Sequence, residues 1–200
     1  MGAFYAFIRA IMIVLIKTIF PCKVYGKENL PEERGYLLAS NHTSMSDVIY
    51  LIATNKRQIN FMGKAELFKT KIMAFLYRKM GCFPVERGNN DKGAIKFAEM
   101  LGEQNKVVGI FPEGTRNKEF GPPKKGKAGA VVIASSAKVP IVPCAIYREG
   151  KFMIFRKTVV RYGKPIECNE LPNVEDGKTA LREGVTRLMD SITELWRLGK

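Results

Sequence analysis

GYLLASNHTSMSDVIYLIAT, residues 35–54, joins a short apolar run to a segment of helical spacing through a polar turn. The run GYLLAS, residues 35–40, is bounded by turn residues and reads as a buried strand. SMSDVIYLIAT, residues 44–54, reads as a helix. The same alternation continues outward. Residues 59–62 read as a strand, and 65–80 as an amphipathic helix through Leu67, Phe68, Ile72, Phe75 and Leu76. Residues 82–86 read as a strand whose Pro84 argues for an edge or irregular position. Residues 92–104 read as a helix behind Asn90 and Asp91 as candidate caps. VVGIF, residues 107–111, reads as a buried strand, 128–137 as a small-residue helix, and 139–147 and 158–162 as strands. A long amphipathic helix over 179–198 closes the chain. Repeated alternation of strand and helix gives an α/β class: a single-domain sandwich with a mainly parallel central sheet flanked by helices. In such folds chemistry gathers where strands end and loops begin.

Toward the N-terminus, AFYAFIRAIMIVLIKTIF, residues 3–20, is almost wholly apolar, with seven residues between Arg9 and Lys17. A spanning helix needs about 20 apolar residues. The segment has no clear small-residue cleavage site, and Ala6 stands where a myristoylation site wants Ser or Thr. Residues 1–21 therefore read as a helix lying in a membrane interface, with Arg9 and Lys17 snorkelling to headgroups, and residues 22–200 as the main domain.

The 200 residues hold 33 Lys and Arg against 19 Asp and Glu, a net charge of +14, with 46% hydrophobic residues. A chain of this length buries roughly 70% of its unfolded surface and needs no disulfide or metal staple. The composition excludes a disordered chain, a collagen-like chain and a polytopic membrane protein. The charge points to anionic partners. Basic residues are dispersed and no nucleic-acid motif appears, so a nucleic-acid module is disfavoured. Cys22, Cys82, Cys144 and Cys168 form no CxxC pair and, beside one histidine, make no zinc site. They read as reduced, buried thiols of a cytosolic protein.

That histidine, His42, lies in the turn between the first strand and helix. Imidazole is the side chain best placed for base chemistry near neutral pH. Asp47 follows five residues later, and on one regular helix the two would face different ways. Ser44-x-x-Asp47 resembles a capping box, which leaves His42 outside the helix and able to fold back so that its ring meets the Asp47 carboxylate. Such a carboxylate fixes the tautomer and stabilises the imidazolium.

NHTSMSD, residues 41–47, has the HxxxxD spacing of the glycerolipid acyltransferases. FPEGTR, residues 111–116, has their second signature, GCFPVER, residues 81–87, resembles the block ending in a substrate-binding arginine, and VPIVPCA, residues 139–145, resembles the fourth block. Four blocks in order over residues 35–147 make the chain resemble this family, most of all its members that acylate lysophosphatidic acid. The tail after Tyr147 carries no assignable motif.

The resemblance implies transfer of an acyl chain from acyl-CoA or acyl-acyl-carrier-protein to the 2-hydroxyl of lysophosphatidic acid, giving phosphatidic acid, with no metal or other cofactor. It makes His42 the general base and Asp47 its orienting partner. Arg87 and Arg116 are the phosphate-binding candidates, since a guanidinium grips phosphate with two parallel hydrogen bonds. Gly114 and Thr115 would offer backbone N–H groups to an anion, Glu113 would bind a glycerol hydroxyl or position Arg116, and Lys127 is the lysine of the basic loop nearest substrate. The implied location is the cytoplasmic face of a membrane, peripheral or monotopic. The alternatives are another acceptor, such as glycerol 3-phosphate or another lysolipid, and a non-catalytic lipid-binding relative.

Overall fold

The computed structural model describes residues 2–86, 91–150, 153–172 and 176–199. Helix α1 (Ala3–Thr18) leads into strand β1 (Cys22–Tyr25). Strand β2 (Tyr36–Ser40), helix α2 (Ser46–Thr54), strand β3 (Ile59–Lys64), helix α3 (Lys71–Lys79) and strand β4 (Phe83–Val85) follow. Helix α4 (Lys92–Glu103), strand β5 (Val107–Ile110), helix α5 (Gly129–Ser136), strands β6 (Ile141–Tyr147) and β7 (Thr158–Tyr162) and helix α6 (Gly177–Arg197) complete the order.

The strands form one sheet, ordered β1-β7-β6-β2-β5-β3-β4. β6, β2, β5, β3 and β4 run parallel to their neighbours, and β7 turns back antiparallel on β6. The mainly parallel α/β sheet matches the sequence expectation, and Pro84 stands on the edge strand. β1, which the sequence did not announce, pairs parallel with β7. It is four residues long and alternates half-buried with exposed positions, so no apolar run marks it.

β2 is buried at every position because both sheet faces are covered. Leu37 and Ala39 pack with Val108 and Ile141 against Ala98, Ile133 and Leu188 of α4, α5 and α6. Tyr36 and Leu38 face the other way, with Ile59 and Val142, against Leu51 of α2 and Tyr5 of α1. Ile59 opens β3 beyond the reach of β4, which pairs only with Met62, Gly63 and Lys64. The Ile59 N–H donates instead to the Tyr5 hydroxyl at 3.0 Å.

Four local expectations are corrected. α2 begins at Ser46, two residues late, because the Ser44 and Thr43 amides turn toward the Asp47 carboxylate. The helix expected over 65–80 splits into a 3-10 turn and α3, since the Thr70 hydroxyl caps a new start by accepting the Met73 N–H. Arg9 turns inward: its Nε donates to the Asn55 carbonyl at 2.8 Å, at the C-terminal end of α2, where a cation offsets the helix dipole. Cys144 is buried and Cys22 and Cys82 half-buried as small apolar groups, but Cys168 is exposed, in a 3-10 turn at the surface.

Removing the Tyr5 hydroxyl strands the Ile59 amide in the core. Tyr5→Phe is expected to lower unfolding free energy by about 1–3 kcal/mol, read by urea titration.

Candidate active site

β6, β2 and β5 are adjacent and parallel, so their C-terminal ends deliver side chains to one edge of the sheet. β2 runs into Asn41 and His42, β5 into Phe111–Glu113, and β6 into Arg148. Asn41 continues the ladder with its side chain: its Nδ2 donates to the Ile146 carbonyl and its Oδ1 accepts the Ile146 N–H. The amide thus holds the chain against β6 at the point where it leaves the strand.

His42 then folds back as its sequence position suggests. Its Nδ1 lies 3.0 Å from Asp47 Oδ2. The same oxygen accepts the N–H groups of Thr43 at 2.7 Å and Ser44 at 2.8 Å. Asp47 Oδ1 accepts from Arg148 Nη2, and Arg148 Nη1 reaches Ser46 Oγ at 3.2 Å. Asp47 has no exposed surface and Arg148 is 4% exposed. Burial pushes the Asp47 carboxyl up, but the His42 hydrogen bond, the Arg148 charge and the Ser44 N–H outweigh it and hold it below the usual carboxylate range. Asp47 is therefore an acceptor, and His42 Nδ1 carries the proton between them. That tautomer leaves the lone pair on Nε2.

The His42 ring is stacked on Phe111 at 3.9 Å between centroids, and Phe111 stacks in turn on Phe61 at 6.0 Å. Gly109 makes room for this stack: a Cβ there would stand 2.6 Å from Phe61 Cδ1. The imidazole is thus fixed by a carboxylate at its edge and an aromatic ring on its face.

Of the two roles expected of Glu113, orienting Arg116 is not what its carboxylate does here. Its Oε1 accepts the His42 N–H at 2.8 Å and its Oε2 the Lys124 N–H at 3.0 Å. It is buried, and burial raises its pKa against the lowering pull of those two amides. Instead of orienting Arg116, it ties the β2 turn, the β5 turn and the basic loop together. Gly114 departs from its expected role. Its φ is +69°, a left-handed conformation that glycine adopts without strain, and its N–H closes the turn on the Phe111 carbonyl at 2.9 Å. That amide is committed within the protein. Thr115 and Arg116 are exposed at the rim. Arg87 lies outside the described residues.

Lys127 approaches the β5 turn. Its N–H donates to the Pro112 carbonyl at 2.9 Å, and its Nζ lies 3.2 Å from where a Cβ on Gly114 would stand. Both residues line a cleft of about 350 Å³ whose wall includes Val85, Ile95, Ile110 and Ile133. Phe111, the ring stacked on His42, lines it too. Ser44 is a partial cap: its Oγ accepts the Ser46 N–H at 3.3 Å and the Ser46 hydroxyl at 2.9 Å, in place of the expected bond from the Asp47 amide.

Two contributors had no signal in the motifs. Arg148 sits one residue past β6, in the tail without an assignable motif. Asn117 directly follows FPEGTR, and its N–H donates to the His42 carbonyl at 2.7 Å while its Nδ2 holds the Pro122 carbonyl. The signal that finds Arg148 is topological: it ends a strand that neighbours β2.

A family model described as Acyltransferase matches residues 21–147. A 1-acyl-sn-glycerol-3-phosphate acyltransferase of Bacillus subtilis is 39% identical over 142 residues, 70% of this chain and 70% of the relative. One from Streptococcus pneumoniae is 30% identical over 203 residues, 98% of this chain and 73% of the relative. The crystal structure of the 1-acyl-sn-glycerophosphate acyltransferase PlsC from Thermotoga maritima superposes with a TM-score of 0.74 at 20% identity, covering 97% of this chain and 79% of that one. That likeness speaks for the fold.

The depressed pKa of Asp47 has a sign that can be measured. A carboxylate held below its ordinary 3.8 adds stability above that pH and loses it as pH falls. Asp47→Asn also takes away the negative charge that faces the buried Arg148 guanidinium, so it is expected to be about 3–5 kcal/mol less stable than the parent at neutral pH. The gap should narrow below the ordinary value of 3.8, where the parent loses what the variant never had. Unfolding titrations across pH check this, and a gap that stays constant would contradict it.

Proposed function

The chain belongs to the Acyltransferase family, an enzyme family, and from that premise we propose that it transfers a fatty acyl group from a thioester to the 2-hydroxyl of 1-acyl-glycerol 3-phosphate, giving phosphatidic acid. The observation that carries the reading is the buried His42–Asp47 pair at the end of β2, 3.0 Å apart, with the family's second signature beside it.

In this mechanism His42 Nε2 takes the proton of the acceptor hydroxyl while its oxygen attacks the thioester carbonyl. Negative charge collects on the former carbonyl oxygen. Asp47 offsets the positive charge forming on the imidazole and keeps its ring in place. Collapse of the tetrahedral intermediate breaks the carbon–sulfur bond, and the departing thiolate recovers the proton from His42. No cofactor enters these steps. Arg148 is a positioning residue: it occupies the second oxygen of Asp47 and favours its ionised form. The amides of Thr43 and Ser44 are bound to Asp47, so the oxyanion draws its donors from elsewhere.

Arg116, Arg87 and Lys127 would meet the acceptor phosphate. The cleft bounded by Val85, Ile95, Ile110 and Ile133 would take an acyl chain, with Gly114 and Lys127 beside it. The donor would be acyl-CoA or acyl-acyl-carrier-protein, and the +14 charge favours encounter with either polyanion.

Among the described residues no helix is long and apolar enough to cross a membrane. α1 instead turns Tyr5 into the core and leaves Phe7, Ile11 and Val14 exposed along one stripe. We place this stripe in the interface of the cytoplasmic leaflet, from which the acceptor is drawn.

Purified protein in vesicles would be given 1-acyl-glycerol 3-phosphate or glycerol 3-phosphate, with each donor in turn. Transfer to the lysolipid is expected, and preference for glycerol 3-phosphate would overturn the acceptor assignment. His42→Ala should lose about 10²–10⁴-fold in turnover while keeping the parent's circular dichroism spectrum, with a lower melting temperature because Asp47 loses a partner and Phe111 its stacked ring. Near-parental turnover in it would overturn the mechanism. Arg116→Ala should raise KM for the acceptor far more than for the donor, and an equal rise for both would assign Arg116 to the donor or the fold.

A further inference from the structure

The connection between β6 and β7 carries three consecutive large apolar residues that the core does not use. Met153 is 53% exposed, Ile154 59% and Phe155 72%. Exposed apolar residues scattered singly are ordinary, but a contiguous group at a tip marks a contact surface. The backbone holds the group in place. Phe155 has a φ of +61°, a left-handed conformation that a bulky side chain adopts only where its surroundings impose it. What imposes it is α1: the Phe155 N–H donates to the carbonyl of Ile19, the residue capping that helix, at 2.9 Å. The Arg156 N–H closes a turn on the Met153 carbonyl, and Arg156 Nη1 donates to the Glu149 carbonyl on the approaching side of the connection.

The tip is therefore bound to the end of the helix whose outer stripe is Phe7, Ile11 and Val14. That stripe approaches the tip past Lys17, which is exposed, and the exposed Lys157 follows the tip. Apolar side chains beside exposed cations match an anionic lipid surface, where the chains enter the acyl boundary and the cations meet phosphates.

We propose that Met153, Ile154 and Phe155 form a second membrane-inserting element, which enters an anionic leaflet beside α1 and with it fixes the orientation of the protein on the lipid surface. This rests on the reading that α1 lies in the interface. Two elements joined at Ile19 define a plane of contact, whereas one helix could roll about its own axis.

The test uses the full chain and vesicles of phosphatidylcholine containing phosphatidylglycerol. Asparagine accepts left-handed backbone, so Ile154→Asn/Phe155→Asn should melt no lower than the parent. Loss of two such apolar side chains from the acyl boundary should weaken partitioning by roughly 100-fold. In a separate variant, the indole of Phe155→Trp should be quenched by lipids brominated in their acyl chains. Phe7→Ser/Ile11→Ser/Val14→Ser reports on α1 alone. If this last variant loses binding while the tip variant binds like the parent and the indole is not quenched, the tip proposal is overturned and the α1 reading stands. If the parent does not bind vesicles at all, both fall. If the parent self-associates without lipid and Ile154→Asn/Phe155→Asn abolishes that association, the tip contacts a second copy of the chain and the proposal is overturned.

Discussion

A carboxylate with no exposed surface must be compensated on every side, and in this protein Asp47 is that carboxylate. Two backbone N–H groups, one imidazole and one guanidinium surround it. Each of these fixes something else. The amides bend residues 43–44 into a tight approach and delay the start of α2. The imidazole is drawn out of the helix and held at the end of β2. The guanidinium arrives from the end of β6, which is parallel to β2 and next to it. The order of strands in the middle of the sheet thus brings Arg148 to the carboxylate that orients the candidate base.

Glu113 repeats this logic on the opposite side. It accepts from the His42 amide and the Lys124 amide, so the HxxxxD turn, the FPEGTR turn and the lysine loop cannot move independently. Asn117 adds a third tie through the His42 carbonyl. An imidazole oriented by this many bonds would need little reorganisation on taking a proton, which is where an enzyme gains most from a rigid site. The exposed Arg116 and Lys127 stand outside the tied core. The site thus pairs a tightly held imidazole with solvent-exposed cations.

The alternation of apolar runs made the α/β class legible, because a parallel sheet covered on both faces needs strands such as GYLLAS and VVGIF that are apolar throughout. β1 was not legible: CKVY has no such run and is a strand only because β7 lies beside it. His42 and Asp47 were legible as a pair, since five residues across a strand-to-helix turn can close on each other. The work of Glu113 was not, because its partners are backbone amides whose arrival depends on the whole fold. Arg148 was least legible of all. It lies 101 residues from Asp47, in a tail without a motif, and only the strand order makes them neighbours. Local chemistry was readable where its members are close in sequence, and hidden where the sheet brings them together.

The proposed chemistry depends on Asp47 holding His42 with its proton on Nδ1 and its lone pair on Nε2. His42 is the one histidine in the chain, so its imidazole gives a single set of nitrogen resonances. The direct measurement is a histidine-labelled ¹⁵N spectrum of the 200-residue chain in detergent, taken at a pH where the ring is neutral and compared with Asp47→Asn. An Nδ1–H tautomer is expected in the parent and a mixture of tautomers in the variant. An Nε2–H tautomer in the parent, unchanged in Asp47→Asn, would contradict that chemistry, because the nitrogen assigned as base would already carry a proton.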